Sequence, residues 1–515
     1  MITLTGDTLT IEALVAVARH GGRVAPLGDE VRRRMQRSHD WVVRAIEGEG
    51  RVIYGVNTGF GSLATRRIAA SEARQLSRNL ILLCVCGIGK PLPPDVVRAV
   101  MLIRANMLAK GMSGVRPVVA ETIIAMLNAG VVPRVPEKGS LGASGDLAPL
   151  SHVAAVFTRD PGDGDGGYSG KAWFGGELLE GAEAMRRAGI ERLILEAKEG
   201  LSLSNGIDFM AACGALAVHD AENLLRHAEL GAALSFEALL GITASLDPAL
   251  HAATNQPGHG RVAAAISALC AGSRLVDSDP KRVQDAYSLR CIAQVLGPIA
   301  DAVAFVRNRF EGAVNAATDN PLILPGPDGE LRPVSGGNFH GQGPALWLDF
   351  LGTAMAEVAD IAERRIFRML TPELSAGLPA MLASDSGLDG GLMMVQYTAA
   401  ALVSDNKTLA HPDSVDSIPS CANQEDHVSM GANAARHCLE ILENVRSVLA
   451  IELLTAAQAV DLRPDGPGRL GEGSSLVYRA VRSRVAFLHH DRPTTEDMES
   501  LSALIAEGSI GKVLE

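Results

Sequence analysis

Four long stretches, Val283–Arg309, Gly341–Met369, Gly391–Leu409 and Val428–Ala459, are rich in Ala, Leu and other apolar residues and sparse in charge. A surface helix confines its apolar residues to one stripe, and these stretches do not. Each is therefore expected inside a helical bundle or between subunits, where small residues let helices approach closely and homo-oligomerisation buries the remaining faces. Aromatic residues are only 4% of the chain, while Ala, Leu and Gly abound. Ala and Leu favour helices, whereas β-branched and aromatic residues favour strands, so the balance predicts a mainly α protein. Asp95–Lys110 fits the same expectation and ends at Gly111, a natural helix stop.

Charge and cysteine content narrow the function. With 47 Lys+Arg against 59 Asp+Glu, the 515-residue chain has a net charge of −12. That acidity argues against a nucleic-acid partner. The longest apolar uncharged run, Gly390–Ser404, has 15 residues, short of the roughly 18–20 that cross a bilayer. The start Met1-Ile-Thr-Leu-Thr lacks a signal-peptide pattern. Seven scattered cysteines do not form a disulfide framework, which points to a cytoplasmic protein with reduced thiols. No Walker-type loop, HExxH or CxxC is present. Gly162, Gly164 and Gly167 formally spell G-x-G-x-x-G, but the interleaved aspartates would repel a pyrophosphate, and a surface loop is expected.

Four polar segments break the helical pattern: Tyr54–Gly61, Gly139–Leu150, Gln284–Arg290 and Ala422–Met430. The second contains Ala143-Ser144-Gly145. In a tight turn the unhindered Gly145 nitrogen can attack the Ala143 carbonyl, and loss of water closes an imidazolone ring. Loss of a second water from Ser144 leaves an exocyclic methylene, an electrophile made from the chain itself. Ala-Ser-Gly alone is ordinarily a plain turn; the run Gly-Ser-Leu-Gly-Ala-Ser-Gly-Asp-Leu-Ala-Pro-Leu is far more specific.

With Tyr54–Gly61, Glu199–Gly206, Tyr287–Arg290, Thr318–Leu322, Gly337–His340 and Asn423–His427 in the same order, the chain resembles the histidine/phenylalanine/tyrosine ammonia-lyase family from Leu9 to beyond Arg463. The resemblance implies a long antiparallel helical bundle of the fumarase/aspartase-like superfamily, with a smaller N-terminal region (1–198) bearing the ring-forming loop and a bundle with C-terminal helices (199–515). It implies a methylidene-imidazolone (MIO) group made from Ala143, Ser144 and Gly145, and no metal or diffusible cofactor. It also implies a homotetramer whose active sites combine loops of several chains, with Tyr54 contributed from a neighbour, and act on a small amino acid.

The reaction so implied is loss of ammonia from an aromatic or heteroaromatic L-amino acid. Its β-proton is barely acidic and an amine leaves poorly. A positioned base supplies about 10²–10⁴-fold, so an electrophile that captures the substrate is the larger requirement. By resemblance Tyr54 is the base. A free Tyr has a pKa of about 10, so its phenolate must be stabilised. Arg290 then clamps the carboxylate, a task suited to guanidinium geometry, and Gln284 orients that carboxylate or Tyr287. Asn205 and Tyr287 match positions contacting the prosthetic group, and Phe339 an aromatic beside it. Glu425, in Asn423-Gln-Glu-Asp-His427, resembles the histidine-specific branch, where the Glu sits near the imidazole or amine. His427 is expected at a helix start.

Departures cluster near the chemistry. Leu83-Cys84 stands where the histidine branch has Ser-His, Asn205-Gly-Ile-Asp208 replaces an Asn-Gly-Thr-Gln type of run, and Cys291-Ile-Ala-Gln294 replaces Cys-Gln-Pro-Gln. A Cys is small and weakly polar, so this end of the pocket is expected to be roomier and poorer in hydrogen bonds. L-Histidine, giving urocanate, leads the expected substrates. A modified histidine, another aromatic amino acid, or an aminomutase that returns ammonia at the β-carbon are the alternatives, and a catalytically silent scaffold is the third class.

Overall fold

The computed structural model describes residues 1–48, 50–162 and 166–512; the centre of the Gly162–Gly167 loop lies outside the described residues. The chain is mainly helical, as its composition predicts. Its longest helices are Asp29–Glu47, Asp208–Ala238, Ile292–Ala313, Gln342–Leu370 and Gly431–Asp461, with Met393–Leu409 next among the described residues. Three of the four apolar stretches thus form helices within three residues of their expected starts. In Val283–Arg309 the first residues are not helical: a short turn, Tyr287–Arg290, precedes Ile292–Ala313. Asp208–Ala238 stands outside the expected set because charged residues at 219–222 and 226–229 break its apolar pattern.

Pro94–Ala109 shows how local chemistry sets a helix. Pro94 opens it where its missing N–H costs nothing, and Asp95 in the first turn complements the helix dipole. Gly111, at φ +71°, ends the run, and the helix interior from Val96 to Ala109 is largely buried.

One compact unit comprises Met1–His219, Arg307–Asp349 and Pro412–Arg436. It holds the short strands, including the hairpin Leu322–Pro325/Leu331–Val334 and the antiparallel pair Ile88–Pro91/Pro136–Lys138. Part of its core is a cluster around Trp41, Val42, Ile46, Ile53, Val56 and Ile323.

The other unit comprises Asp220–Val306, Phe350–His411 and His437–Glu515. Helices Pro257–Leu269 and Ile292–Ala313 approach here backbone to backbone: a Cβ on Gly258 would lie 2.4 Å from the Gly297 carbonyl oxygen. A fully buried ion pair joins Arg365 to Glu452, with Arg365 Nη2 3.0 Å from Oε2 and the Ser235 hydroxyl donating to Oε1 at 2.8 Å. Helix Met393–Leu409 buries Val395, Ala399 and Asn406 but leaves Met394 64% and Tyr397 56% exposed. No helix among the described residues is long and apolar enough to cross a membrane.

Removing one partner of a buried pair strands the other charge at a cost of about 3–5 kcal/mol. Arg365→Met should therefore lower the thermal midpoint strongly, whereas Arg187→Ala, at an exposed pair with Glu183, should leave it nearly unchanged; calorimetry of both variants checks this.

Candidate active site

The Ala143–Gly145 turn lies between strand Pro136–Lys138 and helix Leu147–Phe157. Two glycines make its shape possible. Gly142 has φ +69° and Gly145 φ +75°, a region open to glycine at little cost. A Cβ on Gly145 would lie 2.2 Å from the Gly206 carbonyl oxygen, and one on Gly142 2.3 Å from the Ser429 hydroxyl. The Asp146 N–H donates to the Gly206 carbonyl at 2.7 Å, and the Gly142 carbonyl accepts from Gly341 N at 2.9 Å and Ser429 Oγ at 3.1 Å.

Asp146 anchors the turn from below. One carboxylate oxygen accepts from Ser140 Oγ at 3.0 Å. The other accepts the N–H groups of Phe209 and Met210 at 3.0 and 3.1 Å, at the start of helix Asp208–Ala238. Complete burial outweighs these donors and pushes its carboxyl up to about 7.

Above the turn, the Ser144 hydroxyl donates to Glu425. Asn205 Nδ2 donates to the Ser144 carbonyl at 2.6 Å, while Asn205 Oδ1 is buried with no partner. Glu425 also accepts from Ser420 Oγ at 2.6 Å. It follows three non-glycine residues with left-handed backbone: Cys421, Ala422 and Asn423 have φ of 51°, 50° and 69°. Such strain clusters where a side chain must be aimed.

These residues open onto a cleft of about 830 Å³ that Tyr54, Leu83, Cys84, Ala143, Phe339 and Glu425 help to line. Tyr54 lines the cleft of its own chain together with Ser144, not that of a neighbour as the resemblance implied, and its hydroxyl accepts the Gly61 N–H at 3.0 Å. Leu83 and Cys84 end helix Ala73–Cys84; Leu83 is 71% exposed, while Cys84 is buried with Leu80 and Leu201 against Phe60 and Leu147. Burial pushes the Cys84 thiol up to about 11, with Cys86 and Glu425 adding to it and Ser151 opposing. Asp208 does not line the cleft; it pairs with Arg104 at 2.6 Å.

Gln284, Tyr287 and Arg290 belong to the second unit, where they line a separate depression of about 480 Å³. Arg290 Nη1 donates to Gln284 Oε1 at 2.7 Å, and its guanidinium lies 4.7 Å from the Tyr287 ring centre. Tyr287 is 69% exposed, and Arg290 Nε is buried without a partner. His427 is not at a helix start: it precedes Gly431–Asp461 by four residues and lines the cleft, its carbonyl facing His340 Nε2 at 3.1 Å. Phe60, Asn320, His340 and Asp426 also line the cleft. All four fall inside motifs visible in the sequence; Ser420, which holds Glu425, carries no sequence signal.

The hydroxyl of Ser144, in a glycine-framed Ala-Ser-Gly turn, thus meets the Glu425 carboxylate in a cleft that Tyr54 also lines. The family model for aromatic amino acid lyases matches residues 9–483, and the chain belongs to that family. A histidine ammonia-lyase of Treponema denticola is 48% identical over 505 residues, covering 98% of this chain and 96% of that one. Among solved structures, the histidine ammonia-lyase of Trypanosoma cruzi matches with TM-score 0.89 at 37% identity, covering 99% of this chain and 94% of that one. The tyrosine aminomutase of Streptomyces globisporus matches with TM-score 0.91 at 35% identity, covering 99% and 98%. The chain is thus a carbon–nitrogen lyase of the helical ammonia-lyase type.

A thiol raised to about 11 is almost wholly protonated at pH 8, and the thiolate is the nucleophile. Iodoacetamide at pH 8 should spare Cys84 in the folded protein and modify it after denaturation, as peptide mass mapping would report.

Proposed function

We propose that the chain removes ammonia from L-histidine to give urocanate, using an MIO group made from Ala143, Ser144 and Gly145. The observation that carries this reading is the meeting of Tyr54, Ser144, Asn205 and Glu425 in one cleft, in a chain whose relatives include histidine ammonia-lyases. The turn fits such a ring: Gly145 has the left-handed backbone of a tight turn, Asn205 Nδ2 holds the Ser144 carbonyl, and the unpartnered Asn205 Oδ1 awaits a donor. Once formed, the group supplies the electrophile that captures the substrate.

The chain's own side chains do the rest. Tyr54 takes the β-proton; a phenolate needs donors, and the Gly61 N–H supplies one. Glu425 receives the polar end of the substrate, its two oxygens already oriented by Ser144 and Ser420. Phe339 and Asn205 flank the turn. Arg290 clamps the substrate carboxylate, with Gln284 and Tyr287 fixing its guanidinium. These three act in the cleft of a neighbouring chain of a homotetramer. Exposure of Tyr287 and of the apolar face around Met394 and Tyr397 supports that assembly. A cytoplasmic location accords with seven cysteines scattered without the spacing of a disulfide framework.

A second reading rests on Cys84. The wall it forms with Leu80, Leu147, Leu201 and Phe60 is apolar and would accept an alkylated imidazole or carbocyclic ring better than a free imidazole N–H. An assay of the purified protein with L-histidine, methylated histidines, L-tyrosine and L-phenylalanine, read by mass spectrometry, separates the two; formation of a β-amino acid would instead mark an aminomutase.

Two variants test the chemistry. Ser144→Ala removes the hydroxyl that leaves as the second water, so it should abolish the exocyclic methylene and activity, whereas Tyr54→Phe should retain the ring and lose about 10²–10⁴-fold in kcat. Cys84→His should raise kcat/KM for L-histidine; no change would mean that position 84 does not face the substrate ring.

A further inference from the structure

We propose that the buried Arg104–Asp208 ion pair is a positioning device for ring formation at Ala143–Gly145, an inference that rests on the function proposed above. Neither side chain lines the cleft, and both are almost fully buried, at 2% and 1% exposure. Arg104 Nη2 donates to Asp208 Oδ2 at 2.6 Å. Its other terminal nitrogen, Nη1, donates to the carbonyls of Ser202 and Asn205 at 2.7 and 3.0 Å. A planar guanidinium can serve both directions at once, which a lysine cannot.

Three segments that grip the cyclising turn are fixed by this pair. Asn205, whose carbonyl Arg104 holds, donates its side chain to the Ser144 carbonyl. Gly206 lies against the pair so closely that a Cβ there would be 2.7 Å from both Arg104 Nη2 and Asp208 Oδ2; its carbonyl takes the Asp146 N–H, and its backbone bridges Gly145. Asp208 itself begins helix Asp208–Ala238, whose next two N–H groups hold Asp146. The pair thus sets the distance and direction from which residues 205, 206 and 209–210 press on residues 144–146.

Closure of the ring joins the Gly145 nitrogen to the Ala143 carbonyl carbon, expels that oxygen as water, and then expels the Ser144 hydroxyl with its α-hydrogen as a second water. No oxidant enters. Such a closure depends on how closely nucleophile and carbonyl are held, and an ion pair outside the cleft can govern it without touching substrate.

The test uses full-length Asp208→Asn and Arg104→Met, with Arg98→Met as control. Arg98 is on the same helix, but its guanidinium binds the carbonyls of Val17 and Leu127. Intact mass reports the ring as the loss of two waters, circular dichroism reports folding, and kcat and KM are expressed per ring-bearing chain. The expected result is that wild type and Arg98→Met lack both waters. Asp208→Asn and Arg104→Met should fold yet keep Ser144 intact in most chains, with kcat and KM per ring unchanged. The proposal is overturned if both variants cyclise completely, if Arg98→Met loses the ring equally, or if both fail to fold while Arg98→Met folds, since the pair would then serve stability alone. A wild-type chain at its full sequence mass would instead overturn the ring itself, and with it the proposed function.

Discussion

The contact of the Gly145–Asp146 backbone with Gly206 is the constraint on which the site turns. The two strands of chain lie so near that no side chain fits between them: a methyl on Gly145 would sit 2.2 Å from the Gly206 oxygen. Every nearby interaction serves that closeness. The start of helix Asp208–Ala238 binds Asp146 with two N–H groups, Asn205 holds the Ser144 carbonyl, and Ser429 and Gly341 hold the Gly142 carbonyl. A turn restrained from so many sides loses the freedom that would otherwise oppose an intramolecular attack.

Burial of charge is the means of restraint in both units. Arg104–Asp208 and Lys198–Asp319 lie fully inside the first and Arg365–Glu452 inside the second. Such pairs contribute little net stability compared with apolar residues of the same size, but losing one member is costly. Their value here is geometric. Lys198, with φ +72°, precedes the short helix Glu199–Ser204 that leads to Asn205, and Asp319 ties its ammonium to Ser202 and Ser113. The segment that reaches the Ala143–Gly145 turn is therefore clamped at both ends by ion pairs.

The cleft has a polar floor and an apolar wall. Glu425 is aimed at Ser144 by a turn of three strained residues, while Cys84, Leu80 and Leu201 form an apolar side. The proposed chemistry uses the floor for the reacting end of the amino acid, and the wall for its ring. A carboxylate on one side and a buried, weakly polar thiol on the other make substrate choice a question of how much the ring must be hydrogen-bonded, which is where the histidine and alkylated-imidazole readings part.

Much of this was legible from the residues. Ala and Leu content announced the helices, because propensity and apolar patterning act locally and sum over long stretches. The Ala143-Ser144-Gly145 run announced the turn, and the structure gives Gly142 and Gly145 the left-handed backbone that favours glycine. Tyr54, Ser144, Asn205, Phe339 and Glu425, scattered from position 54 to position 425, line one cleft. Other features needed the tertiary structure. Asp208 read only as an unexplained carboxylate, since its partner Arg104 lies on another helix and no spacing rule links them. His427 entered the cleft instead of starting a helix, because the Ser420–Glu425 turn consumes the residues before Gly431. Local preference is written residue by residue; which charges share a buried space depends on how distant helices pack, and only the folded chain decides that.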